Sequence, residues 1–260
     1  MSIAIVGDNL IHYEAIGRGE PIIFVHGWLG SWRYWWPSMQ ALSTRHRTFA
    51  FDLWGWGDSS KQAGQYNFDN YVKMMDQFMD KLGIMGQATL VGHSLGAAVS
   101  LRFARQHPDR VKRLVTVALP VEGHHVPDRL TRTDSPSFIN RLGKSAAFPE
   151  LEAEVKKTDT VALNATATEL QSLSFAQDLS EAPCPTLLVF GEKDTVVSPP
   201  NGEHRHIIEA PGRHFISLDD CSHFPMLDEP VKFNRLIQEF IHNDDLTDLA
   251  VKEYWSRRTY

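Results

Sequence analysis

The chain is poor in cysteine. It has two in 260 residues, Cys184 and Cys221, in different predicted elements. Such a pair forms neither a disulfide framework nor a cysteine-based metal set. Two free thiols in a reducing, cytoplasmic compartment are the expectation. No stretch of about 18 apolar residues occurs, so no membrane span is expected. No long basic run accompanies the net charge of −6, which argues against nucleic acid as a partner. Residues 1–8 lack a basic segment leading into a long apolar run, so no signal peptide is expected. The sequence has no H-E-x-x-H, no cysteine–histidine ligand set and no G-x-G-x-x-G after a first strand. Neither a metal nor an organic cofactor is therefore expected. Repeats and low-complexity tracts are missing as well.

What is present is material for a core. Apolar residues make up 42 % and charged residues 22 %, which suits one large α/β domain. Residues 3–6 and 10–16 read as strands around the turn Gly7-Asp8-Asn9. The apolar runs at 21–25, 48–51 and 88–91 read as strands buried on both faces. Further strands are expected at 111–119, 185–190 and 214–218. Helices are expected at 34–42, 67–82 and 231–241, the second with Phe68, Tyr71, Met75, Phe78 and Met79 on one face. Strand and helix alternate, which predicts a mostly parallel central sheet with helices on both faces. Residues 121–182 interrupt that rhythm and are expected to form a helical lid insertion, with helices near 150–157 and 165–173. The core is then 1–120 with 183–244. A tail, 245–260, is expected to dock as a short helix.

Gly92-His93-Ser94-Leu95-Gly96 carries the chemistry. It follows the 88–91 strand and precedes a helix-like stretch, the strand–turn–helix context of a nucleophile elbow. So sharp a turn forces its serine toward a strained backbone. The flanking glycines then answer to the space a Cβ would need. The N–H of Leu95 falls at a helix N-terminus, where the dipole favours a developing oxyanion. A serine hydroxyl needs an adjacent base, and the base an orienting acid. Asp194 follows the 185–190 strand and His223 follows the 214–218 strand, so both fall on the rim of Ser94. Asp219 and Asp220 are rival acids in the loop of the base itself. Glu122 is the nearest acid to the end of the 111–119 strand. The loop His26-Gly27-Trp28-Leu29-Gly30 offers the second oxyanion donor, the N–H of Trp28, with His26 bonding loop backbone.

These residues resemble the α/β-hydrolase superfamily over roughly 11–241. The resemblance rests on His26-Gly27, the Asp52-x-x-Gly55-x-Gly57-x-Ser59 loop, the elbow, and the acid and histidine segments. It implies the α/β-hydrolase fold and a Ser94–His223–Asp194 triad with Trp28 and Leu95 at the oxyanion hole. Ser94 argues against the similar dehalogenases and epoxide hydrolases, which carry aspartate as nucleophile. Ala98 departs from the menaquinone-pathway synthase, which has arginine there. His93 and Ala97 depart from the carbon–carbon bond hydrolases. Gly-His-Ser-Leu-Gly is closer to esterases and lipases.

The seven tryptophans fall in two rim loops and the tail. Trp28, Leu29, Trp32, His93 and Phe224 are expected to line the substrate pocket, with Phe138 and Phe148 from the lid. No arginine cluster is placed for a phosphate or dicarboxylate. The expected reaction is hydrolysis of a small to medium apolar carboxylic ester through an acyl-enzyme on Ser94. Two kinds of alternative stay open. One is a carbon–carbon hydrolase, perhydrolase or amidase on the same triad. The other is a slow-turnover ligand receptor. Oligomeric state is left open.

Overall fold

The computed structural model describes residues 2–126, 149–200, 202, 204–252 and 255. Eight strands make one sheet: β1 Ser2–Val6, β2 Asn9–Gly17, β3 Glu20–Val25, β4 His46–Phe51, β5 Ala88–His93, β6 Val111–Val117, β7 Thr186–Gly191 and β8 Arg213–Leu218. Their order is β1-β2-β4-β3-β5-β6-β7-β8. The pairs β1/β2 and β2/β4 are antiparallel, and every pair from β4 to β8 is parallel. The chain runs outward from β3 to β4, then returns to lay β5 on the other side of β3. That reversal leaves a crevice at the carboxyl ends of β3 and β5, where ligands of open α/β sheets bind.

The main helices are α1 Trp36–Leu42, α2 Phe68–Lys81 and α3 Leu95–Gln106. They continue with α4 Pro149–Val155, α5 Thr160–Gln171, α6 Ala176–Ser180, α7 Arg205–Ile208, α8 Pro225–Asp228 and α9 Pro230–His242. Asn67 caps α2 by accepting the N–H of Asn70 at 2.8 Å. In α9, Pro230 occupies the first turn, and Phe233, Leu236, Ile237, Phe240 and Ile241 form a buried stripe at helical spacing. The expected helix at 34–42 is divided instead. A 3₁₀ turn over Trp32–Trp35 precedes α1, whose first turn holds Pro37. Proline cannot donate to a preceding turn, so the regular helix starts at its edge.

Three described helices, α4 to α6, stand between β6 and β7. The stems of this segment meet: the N–H of Phe175 donates to Val121 O at 2.8 Å, and that of Gly123 to Leu173 O at 2.9 Å. The segment is also tied to the sheet rim. Asp159 N donates to Gly55 O at 2.8 Å, and Phe68 N to Glu169 at 3.0 Å. In the tail, Leu246 and Trp255 are buried, and Trp255 N donates to Lys252 O at 2.9 Å in a 3₁₀ turn; much of the stretch expected to be helical lies outside the described residues. These two apolar side chains anchor the tail to the body of the protein.

The tryptophans belong mostly to packing. Trp35 and Trp56 are fully buried, and Trp35 lies 5.0 Å from the ring of Phe24. Truncating such a side chain costs about 3–5 kcal/mol. No described helix is long and apolar enough to cross a membrane.

Candidate active site

Ser94 joins β5 to α3 with φ 51° and ψ −114°, a conformation that costs a non-glycine residue energy. The surroundings hold it there. Ser94 N donates to Val117 O of the neighbouring strand at 2.8 Å. A Cβ on Gly92 would fall 2.7 Å from Ala97 Cα, and one on Gly96 would strike the Val25 and His26 carbonyls. Gly92 is therefore fixed by the first turn of α3 packing back on the strand end, and Gly96 by contact with the end of β3. Leu95 opens α3, and the first N–H groups of a helix have no intrahelical acceptor.

Asp194 and His223 come from the loops after β7 and β8. His223 Nδ1 lies 2.8 Å from Asp194 Oδ2. The other carboxylate oxygen, Oδ1, accepts Val196 N at 2.7 Å and Val197 N at 3.0 Å. Burial pushes this carboxyl up. The charge of His223 and the three hydrogen bonds outweigh that and hold it below the ordinary aspartate value. The two loops are locked together at their base. Lys193 N donates to Cys221 O at 2.9 Å, and a Cβ on Gly191 would meet the carbonyls of Cys221 and Ser222. Ser222 N and Oγ both donate to Asp228 at 2.7 Å. The rival acids lie elsewhere: Asp219 and Asp220 are exposed, and Asp220 pairs with Lys193. Glu122 bonds His204 at 3.0 Å.

The loop after β3 is held through the Gly27 peptides. Gly27 O accepts His26 Nδ1 at 2.8 Å and Gly30 N at 3.1 Å. His26 Nε2 accepts Leu53 N at 2.9 Å, so the ring is neutral with its proton on Nδ1. Burial lowers its pKa, opposed by the charge of Asp52. A trans peptide points its C=O and N–H in opposite directions. Drawing Gly27 O toward His26 therefore turns the N–H of Trp28 the other way. A Cβ on Gly27 would sit 2.9 Å from Ser94 Cβ, so this loop lies directly on the elbow.

The neighbouring Asp52 loop is a hydrogen-bonded knot. Asp52 accepts Trp32 N at 2.8 Å and Asp58 N at 3.0 Å, and contacts His12 Nδ1 at 3.0 Å. His12, Asp52 and Asp58 are close enough to share an ion. Asp52 is taken up by these bonds, and Asp58 by Lys157 at 2.9 Å.

The expected pocket residues divide. Trp28 is buried, and its indole N–H donates to Thr166 Oγ1 of α5 at 3.0 Å. Leu29 is buried with φ 57°. Trp32 lines a cavity of about 440 Å³ with Trp36, Pro37, Leu151 and Leu227. Two placements differ from expectation. His93 and Phe224 present almost no surface, at 0 % and 1 % exposure, so they support the site from behind rather than line a pocket. His93 is sealed because both ring nitrogens have partners. Nε2 donates to His223 O at 2.8 Å, and Nδ1 lies 3.0 Å from Tyr34 Oη. Phe224 packs on His93 at 4.7 Å. Phe138 and Phe148 lie outside the described residues. Tyr34 and Thr166 carry no signal in the sequence: one sits in an aromatic run, the other within an ordinary helix.

A family model described as alpha/beta hydrolase fold matches residues 20–172. The pimeloyl-[acyl-carrier protein] methyl ester esterase of Nitrosomonas europaea is 26 % identical over 86 % of this chain and 96 % of its own length. Two relatives at 32 % and 31 % identity align over only 38 % and 42 % of their lengths. Among solved structures, a thermophilic esterase from Thermogutta terrifontis superposes with a TM-score of 0.77. It is 24 % identical, with 92 % of this chain and 95 % of that one covered. A meta-cleavage product hydrolase from Pseudomonas fluorescens gives 0.79 at 21 % identity, covering 94 % and 98 %.

Proposed function

This chain belongs to the α/β-hydrolase family, and from that premise we propose that it is a serine hydrolase of small to medium apolar carboxylic esters. The observation that carries the reading is the 2.8 Å bond from His223 Nδ1 to a buried Asp194, on the rim where the strained Ser94 immediately precedes α3. A proton kept on Nδ1 leaves Nε2 free to act as base.

In the proposed cycle His223 Nε2 takes the Ser94 proton as Oγ attacks the ester carbonyl. The N–H groups of Trp28 and Leu95 hold the oxyanion. Collapse of the intermediate expels the alcohol, protonated by His223, and leaves an acyl group on Ser94. A water deprotonated by His223 then releases the acid. Asp194 stays ionised throughout and stabilises the imidazolium. No step draws on a metal or an organic cofactor. The helices between β6 and β7 serve as the lid that sets substrate size. Two buried, unpaired cysteines suit a reducing compartment such as the cytoplasm.

The test is labelling and turnover together. A fluorophosphonate should add one adduct on the Ser94 peptide, and Ser94→Ala should abolish both labelling and hydrolysis of p-nitrophenyl esters. Matched ester, amide and carbon–carbon substrates should be turned over with ester preferred. Labelling that survives Ser94→Ala would overturn the reading, and a diketone cleaved faster than every ester would replace its substrate class.

A further inference from the structure

Behind the proposed site runs a chain of hydrogen bonds whose direction is fixed by chemistry. A carbonyl oxygen only accepts, so His93 Nε2, 2.8 Å from His223 O, carries a hydrogen. The neutral ring then accepts at Nδ1, and Tyr34 Oη, 3.0 Å away, donates to it. The same oxygen accepts Gly27 N–H at 2.6 Å. The sequence of donors is Gly27 N–H to Tyr34 Oη–H to His93 Nδ1, and His93 Nε2–H to His223 O. Gly27, Tyr34, His93 and His223 are all buried, so no water replaces a lost link. Phe224 closes the assembly with its ring 4.7 Å from His93 and 5.8 Å from Tyr34.

The ends of this chain are the two parts that must be spaced correctly around the reacting carbonyl. One is the loop whose Trp28 N–H is the proposed oxyanion donor. The other is the backbone of the proposed base. Between them, His93 is covalently joined to Ser94. We propose that Tyr34 and His93 are positioning residues, a buried strut that sets the oxyanion loop and His223 at fixed distances from the elbow. The proposal rests on the serine hydrolase reading above. It assigns a task to two side chains that exchange no proton with the substrate: Tyr34 stands behind the site, and His93 meets the proposed base at its carbonyl and, 4.7 Å between ring centres, at its ring face.

The strut predicts loss in the transition state rather than in binding. Displacing a catalytic group by about 1 Å costs on the order of 100-fold. Tyr34→Phe removes one hydroxyl and keeps the ring. It should lower kcat on p-nitrophenyl butyrate by about 10- to 100-fold, with KM changed by less than about threefold. Active-site titration with a fluorophosphonate normalises each rate to folded enzyme, so a loss of stability alone leaves kcat per active site unchanged. His93→Phe should behave alike. His93→Gln, whose amide N–H can still reach His223 O, should recover part of the rate. The double variant should be no slower than about the worse single, because both act through one chain. Should His93→Phe fail to fold, Tyr34→Phe against wild type decides alone. Wild-type kcat in titrated Tyr34→Phe overturns the strut, as does a loss confined to KM. If Ser94→Ala stays active in the same assay, it is the serine reading that fails. Inactive Ser94→Ala beside a fully active Tyr34→Phe rejects the strut only.

Discussion

Asp194 Oδ2 and His223 Nδ1 lie 2.8 Å apart, and the other Asp194 oxygen is held by two backbone N–H groups. The proposed acid is thus held in one orientation by the folded chain itself. Asp194→Asn keeps the shape but presents an amide, which can stabilise the wrong imidazole tautomer. Turnover of p-nitrophenyl esters should fall by about 10⁴ in kcat, by analogy with other triads. Asp219→Asn and Asp220→Asn, on exposed side chains, should stay within about twofold. A crippled Asp219 or Asp220 variant beside an active Asp194→Asn would show that the acid lies in the histidine loop.

Stability should fall on mild acidification, and His93 is one cause. Burial, then the charge of His223, holds its pKa well below the ordinary value of about 6.5. Between the folded and unfolded values the unfolded chain binds more protons. The contribution is therefore full above about 6.5 and is lost as pH falls toward the folded value, with a slope of at most about 1.4 kcal/mol per pH unit. His26, lowered by burial, acts with the same sign. Melting curves between pH 7.5 and 5 should show Tm falling, and His93→Gln should flatten the fall. A Tm that is constant or rises over this range in wild type would contradict the buried neutral rings.

Cys221 stands two residues from His223, yet it should be inert. It is fully buried, and burial pushes its thiol up to about 12, helped by the charges of Asp228 and Glu229. Burial also raises Cys184, to about 11. The thiolate is the reactive form, so both should resist alkylation at neutral pH. A disulfide-exchange reagent should titrate no thiol in the native protein and two in denaturant. One fast native thiol, with activity lost in step, would mean the histidine loop opens readily.

The elbow was legible because its constraint is local. Gly92 and Gly96 lie two residues on either side of Ser94, and each is fixed by a carbon atom that would not fit. Asp194 and His223 were legible more weakly, as residues just past the strands that bring them to one rim. The strut was not legible. His93 and His223 are 130 positions apart, and His93 and Tyr34 are 59 apart. A histidine inside G-x-S-x-G reads as a pocket residue until its two partners are seen. Within one aromatic run, Trp32 lines a cavity while Trp35 is buried against Phe24, because composition reports how much apolar surface a loop carries, not which side faces the sheet.

The contact between α5 and the proposed oxyanion loop gives the proposed lid a specific handle. Trp28 Nε1 donates to Thr166 Oγ1 at 3.0 Å, and that hydroxyl donates onward to Ala162 O at 2.7 Å. Thr166 is fully buried. Thr166→Val keeps the volume and removes the acceptor, so the indole N–H is left buried without a partner. That should cost about 1–3 kcal/mol of stability in a thermal or urea melt. The same change frees the Trp28 ring, which belongs to the residue of the proposed oxyanion donor. If 121–182 selects substrate through this contact, the profile of kcat/KM from acetate to decanoate esters should shift, by about 5- to 50-fold at the lengths most affected. Labelling of Ser94 by a small fluorophosphonate, which needs little of the pocket, should change much less. A destabilised but folded Thr166→Val with an unaltered chain-length profile would assign substrate size to core residues and leave α5 a purely structural role.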